Sequence, residues 1–227
     1  MPPDGWVESS GLTKIARPLV KICGLKTPEA LEATIAAGAD MAGFVFFEKS
    51  PRHVDLAAAR RLGEIAAGRI RKVALSVDAD DDTLAAMIEA LDPDDLQLHG
   101  DETPERVAAI KERFGLGIIK PIGVSTAEDA RKGEAYAAAD MLLFDAKPAP
   151  DSLLPGGNGA VFDWTLARGA APNKPWLLSG GLDASNVAEA LRVSGAPGVD
   201  VSSGVERARG AKDIALIEAF VRAARAG

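Results

Sequence analysis

Short apolar runs recur along this chain at a nearly fixed interval, and that interval constrains the fold more than any single motif does. The runs are PLVKIC, MAGFVFF, KVALSV, DLQLH, GIIKPI, DMLLFD, PWLLS and GVDVSS. Residues at or one before their ends, Cys23, Phe46, Val77, His99, Ile122, Asp145, Ser179 and Ser202, are separated by 23, 31, 22, 23, 23, 34 and 23 residues. An interval of about 23 residues holds one strand, one helix and two short loops. Ala-rich, charge-flanked helical patterns fill the intervals, among them TPEALEATIAAG, LAAARRLGEIAAG, DTLAAMIEAL and TPERVAAIKERFG. Such alternation reads as βαβ units around a parallel sheet, and eight of them close a (β/α)8 barrel. A doubly wound open sheet is the alternative, but it rarely runs through eight consecutive strands without an insertion.

Local signals agree with the period. Thr27-Pro28-Glu29 and Thr103-Pro104-Glu105 each supply an N-cap, a proline at the first helical position and an early carboxylate. Ser125 to Glu128 reads as a capping box, and Gly38 and Gly115 stand where helix C-caps are expected. The two long intervals exceed the period by eight and eleven residues. Both excesses are assigned to loops after strands, Phe47 to Val54 and Ala146 to Val161, where barrel enzymes carry their chemistry. The second, with Gly156, Gly157 and Gly159, is expected to act as a lid. Residues 1–17 read as a loose extension and residues 18–227 as one barrel domain.

Composition excludes several function classes. A single cysteine, Cys23, leaves no intrachain disulfide and no thiol-rich metal site. The two histidines, His53 and His99, are few for a zinc site. A net charge of −7 without a basic cluster argues against nucleic acid as a partner. No apolar stretch approaches the roughly 18 residues that a membrane helix needs, and the start of the chain lacks the apolar core of a signal peptide. A reducing, cytoplasmic setting is the expectation.

Polar residues collect where the apolar runs end: Cys23, His99, Asp145, Ser179 and Ser202. In a barrel those ends share one rim. Lys21 and Cys23 share a strand face, so a lysine facing inward would lie below the thiol, either favouring thiolate or pairing with a carboxylate. Two glycine-bearing turns, SGGLDASN and DVSSGVE, follow the last two strands, where many barrels bind phosphate through backbone N–H groups. Arg52, in SPRH, offers a guanidinium suited to a carboxylate. A thiol and a carboxyl without metal suit proton transfer, one group taking a proton and the other giving one.

The stretches KICGL, GFVFFEKSPRHV, QLHGDE, LLFDA, GGNGAVFDW, LLSGGLDASNV and GVDVSSGVE, in this order, resemble the phosphoribosylanthranilate isomerase family of tryptophan biosynthesis. The resemblance runs from about Lys21 to Asp213 and implies a (β/α)8 barrel with no cofactor or metal. It implies Cys23 as general base, Asp145 as general acid and Arg52 as the clamp on an anthranilate carboxylate. Gly180, Gly181, Asp200, Ser202, Ser203 and Gly204 match the phosphate-binding turns, and His99 matches a site residue with no assigned step. Asn158 departs from the usual Ser or Thr of the glycine loop. The implied reaction is an Amadori rearrangement of a phosphosugar, with Arg52 expected across the rim from the phosphate. Two other readings stay open: an epimerase, synthase or imine-forming aldolase using Lys21 or Lys120, and a non-catalytic binder of a phosphate ligand.

Overall fold

The computed structural model describes residues 17–147, 163–169 and 174–226. The strands are β1 (Leu19–Cys23), β2 (Met41–Val45), β3 (Arg71–Ser76), β4 (Asp95–Leu98), β5 (Gly117–Val124), β6 (Met141–Ala146), β7 (Trp176–Leu178) and β8 (Gly198–Val201). They form a closed barrel in chain order, with β8 pairing back onto β1 in parallel. All eight lie within the apolar runs of the sequence or within a few residues of them. The first five intervals hold α1 (Pro28–Ala36), α2 (Leu56–Ala66), α3 (Asp81–Leu91), α4 (Pro104–Phe114) and the short α5 (Ala127–Arg131). The last two hold α6 (Thr165–Gly169) and α7 (Val187–Ser194), and α8 (Ile214–Ala226) follows β8. A small hairpin, β9 (Glu206–Ala208) with β10 (Ala211–Lys212), lies between β8 and α8.

Strand alternation divides the interior into two cores. Outward residues such as Val20, Ile22, Phe44, Leu96 and Ile118 pack against Leu31, Leu62, Leu84, Val107 and Phe220 of the helical ring. Inward residues Met41, Val73, Ile119, Met141, Leu143 and Leu177 fill the barrel itself. Above this plug Lys21, Asp200 and Asp145 are buried beside a small apolar patch of Cys23, Val45 and Leu75, so the barrel is a packed stem with a chemical mouth.

Thr27 and Thr103 cap α1 and α4 through their hydroxyls, as expected. The capping box is displaced by one residue: Thr126, not Ser125, caps α5, and Asp129, not Glu128, reaches back to the Ser125 N–H and hydroxyl. The box pattern fits two overlapping frames, and the buried Asp129 decides between them. The extra length after β2 is a loop ending at the α2 cap Asp55. Ala146, where the expected lid begins, is the last residue of β6; from residue 148 on, the lid and its Asn158 lie outside the described residues, as does the extension through residue 16.

Candidate active site

Cys23 ends β1 with its side chain inward, and Gly43 stands beside it on β2 in register. A Cβ on Gly43 would come within 3.0 Å of the Cys23 Sγ and 3.2 Å of the Lys21 Nζ, so the missing methyl makes room for both groups. Lys21 is wholly buried (0% exposed) and faces Asp200 across the β1–β8 seam, with Nζ 2.6 Å from Oδ1. Burial works against the lysine's charge, but Asp200 and Cys23 together outweigh it and hold the Lys21 pKa above its ordinary value. Both sequence options for Lys21 therefore hold at once: it pairs with a carboxylate and it lies beside the thiol.

Burial and then the Asp200 charge push the Cys23 thiol up, while the Lys21 ammonium and, more weakly, Lys212 pull it down. Burial wins, and the thiol pKa lies above its ordinary value. Asp145, inward near the end of β6, accepts a hydrogen bond from the Ala146 N–H. Burial and then the Asp200 charge raise its pKa to about 7. At neutral pH it therefore has a large protonated fraction, the state a general acid needs.

His99 follows β4 and brings Nε2 to 3.9 Å from Asp145 Oδ2. Burial first, then the charges of Lys21 and Lys120, lower its pKa to about 3, so the contact is not an ion pair. The Gln97 amide nitrogen lies 2.9 Å from Nδ1, and with that amide donating, the imidazole proton sits on Nε2 facing the acid. Cys23, Asp145 and His99 are thus gathered at one mouth, as the strand-end pattern implied.

Two placements differ from expectation. The Asp200 carboxylate is inside the barrel, held by Lys21 and accepting from the Ser179 hydroxyl at 3.3 Å, and a charge of that sign would repel phosphate. Arg52 does not lie across the rim from the segment after β8. Because β2 and β8 both flank β1, the Arg52 side chain crosses over Gly24 and meets Glu206 with two N–H groups, Nε at 2.7 Å and Nη2 at 3.0 Å. Lys212 Nζ joins the same carboxylate at 2.9 Å. Burial opposes ionisation of Glu206, yet Arg52 and Lys212 pull its pKa down to about 2.

The two glycine turns do come together. Gly180 and Gly181 hold φ of 90° and 61°, which glycine adopts without strain. A Cβ on Gly204 would fall 1.8 Å from the Leu182 carbonyl oxygen, so the second turn is packed directly on the first. Ser202 donates its hydroxyl to the Cys23 carbonyl and accepts from Lys212, which ties this turn to β1. Ser203 and Gly204 follow in a single 3-10 turn, Ser203–Val205.

Sequence reasoning missed Glu206, Lys212 and Gly43. The hairpin that carries the first two has no apolar run to announce it. Gly43 inside a strand was the available signal, since an interior glycine marks a close approach.

A family model described as N-(5′-phosphoribosyl)anthranilate (PRA) isomerase matches residues 20–223. An N-(5′-phosphoribosyl)anthranilate isomerase from Azorhizobium caulinodans is 61% identical over 208 residues, spanning 91% of this chain and 91% of that protein. The crystal structure of phosphoribosyl anthranilate isomerase from Thermotoga maritima is similar with a TM-score of 0.82 at 33% identity, covering 92% of this chain and 100% of that one. A further crystal structure of a phosphoribosyl anthranilate isomerase, in complex with reduced 1-(o-carboxyphenylamino)-1-deoxyribulose 5-phosphate, gives a TM-score of 0.79 at 31% identity over 92% of this chain and 100% of that chain.

Proposed function

Because the chain belongs to the N-(5′-phosphoribosyl)anthranilate isomerase family, we propose a division of labour at its rim in which Asp145 gives a proton and Cys23 takes one. The reaction is the isomerisation of N-(5′-phosphoribosyl)anthranilate to 1-(2-carboxyphenylamino)-1-deoxyribulose 5-phosphate in tryptophan biosynthesis. It is an aldose–ketose isomerisation, which sets aside the aldolase and the non-catalytic readings.

The steps follow from the positions of the groups. Protonated Asp145 donates to the furanose ring oxygen. The C1′–O bond breaks as the anilinic nitrogen's electron pair forms the Schiff base. Cys23, as thiolate, removes the C2′ proton, and those electrons form the C1′=C2′ bond of an enolamine. Tautomerisation gives the ketone. The observation that carries this reading is the pairing of a buried inward thiol (5% exposed) with a buried inward carboxyl (7% exposed) whose pKa is raised to about 7.

The phosphate role goes to the packed turns, with backbone N–H groups of Gly180, Gly181, Ser203 and Gly204 as donors and Ser202 holding the second turn against β1. Arg52, oriented by Glu206, is the cation proposed for the anthranilate carboxylate, and Glu206 is its positioning residue. A cytoplasmic setting suits a thiol that must stay reduced to act. No helix of the described residues is long and apolar enough to cross a membrane.

The direct test is turnover of N-(5′-phosphoribosyl)anthranilate, followed by loss of anthranilate fluorescence. Wild-type protein should turn over, and Asp145→Asn should lose rate mainly in kcat. Full kcat in Asp145→Asn would remove Asp145 from the role of acid.

A further inference from the structure

The acid and the base need opposite protonation states, and both are buried. We propose that the Lys21–Asp200 pair is an oriented charge dipole that biases the two groups in opposite directions, its ammonium end beside Cys23 and its carboxylate end toward Asp145. This rests on the roles assigned above to Cys23 and Asp145, but its test does not.

The order of groups around the inner wall carries the inference. Cys23 and Lys21 are two residues apart on β1, facing inward, and the gap left by Gly43 holds both Sγ and Nζ. Lys21 stands in register with Asp200 on β8. Asp200 turns its second oxygen away from β1, to the Ser179 hydroxyl at the end of β7. Ser179 in turn donates its backbone N–H to Phe144, the residue before Asp145 on β6. Read around the barrel, the wall runs thiol, ammonium, carboxylate, hydroxyl, carboxyl. A pair drawn the other way round would hold the thiol neutral and ionise the acid, which is the unproductive arrangement.

Other groups act on the two ends without duplicating this. Lys212 also pulls the thiol down, but less than Lys21 does, and the Asp200 charge opposes Lys21 there without cancelling it. Near Asp145, His99 is neutral, and Ser179 favours the ionised carboxylate. Among these neighbours, Lys21 is the larger charge effect on Cys23 and Asp200 the larger one on Asp145.

The decisive variant is the double substitution Lys21→Met/Asp200→Asn, which removes both charges and strands neither. Cys23 is the only cysteine of the chain, so alkylation rate against pH reports its ionisation cleanly. The carboxyl resonance of Asp145 in NMR reports the acid. Both are measured without substrate, on protein whose fold is checked by circular dichroism. The two titrations should move in opposite directions: the thiol ionising at higher pH, with alkylation at neutral pH slowed about tenfold or more, and Asp145 losing its proton at lower pH. The single variants sharpen this, since Lys21→Met should move the thiol more than the acid, and Asp200→Asn the acid more than the thiol. Shifts of both groups in the same direction in the double variant, or no shift in either, overturn the proposal. Opposite shifts with unchanged turnover would uphold the dipole and instead count against the roles given to Cys23 and Asp145.

Discussion

Two lysines are buried near the same end of the barrel, and they do different work. Lys21 points inward from β1. Lys120 points outward from β5, between Ile118 and Ile122 of the sheet–helix core. Lys120 directs its three N–H bonds at three acceptors: the Leu98 carbonyl at 2.9 Å, the Gly100 carbonyl at 2.7 Å and Glu102 Oε2 at 2.7 Å. The Tyr136 ring lies 5.5 Å from the same ammonium. Glu102 is equally saturated, since its other oxygen accepts from the Asp78 and Gly100 N–H groups. This knot fastens the loops after β3 and β4 and leaves the lysine nothing to give. Among the described residues, Lys21 hydrogen-bonds the Asp200 carboxylate and the Cys23 sulfur. A buried ammonium with a donor turned to a reactive group is a chemical device, and one whose donors are all spent on fixed acceptors is a rivet.

The comparison predicts that damage near Lys21 appears in rate, and damage near Lys120 in stability. The largest effect belongs to the thiol that Lys21 serves. Cys23→Ala should lower kcat by about 10²–10⁴-fold with KM little changed, since a general base typically contributes that much and no second cysteine can replace it. Near-normal kcat would break the comparison on its chemical side.

On the structural side, Lys120→Met strands the Glu102 carboxylate in a buried site. Urea unfolding should show a loss of about 3–5 kcal/mol. The kcat of the molecules that remain folded should change only a few-fold. A collapse of kcat at unchanged stability would mean that Lys120 takes part in the chemistry after all.

The smallest effect is a slope with pH. The folded pKa of Asp145, about 7, lies above its ordinary 3.8. Its contribution to stability is therefore complete below the ordinary value and is lost as pH rises through about 7. Asp145→Asn removes that loss, so the variant should be more stable than wild type at about pH 8, by something on the order of 1 kcal/mol, with the gap closing toward about pH 5. His99, held neutral with a pKa near 3, tilts the other way and stabilises above its ordinary 6.5, losing that as pH falls. Urea midpoints at the two pH values for wild type and Asp145→Asn check the slope. An Asp145→Asn variant that is no more stable at the higher pH would place the raised pKa elsewhere.

The barrel was legible in the sequence because each strand writes its own apolar run and each cap is local. Thr27 and Thr103 needed only the next few residues to declare themselves. Cys23, His99 and Asp145 were legible as a group because strand ends share a rim in this fold. What the chain does not write locally is which partner each charge meets. Arg52 and Glu206 are 154 residues apart, and Lys21 and Asp200 are 179 apart. Asp200 was read with the phosphate turns because it is next to them in sequence, but side-chain alternation sends it inward. The β9–β10 hairpin was missed because ERARGAK has no apolar period, and it forms by packing Gly210 against the Pro51 carbonyl of a distant loop.

The seam between the first and last strands has a consequence for how the protein is born. The thiol and its ammonium leave the ribosome well before Asp200, which follows 179 residues after Lys21. Until β8 docks on β1, a lysine destined for full burial has no counter-charge, and that cost holds the unfinished barrel open. The ion pair that arms the catalyst is also the clasp that completes the fold. A truncated nascent chain therefore stays an open substrate for chaperones and proteases, and does not persist as a folded but inert copy.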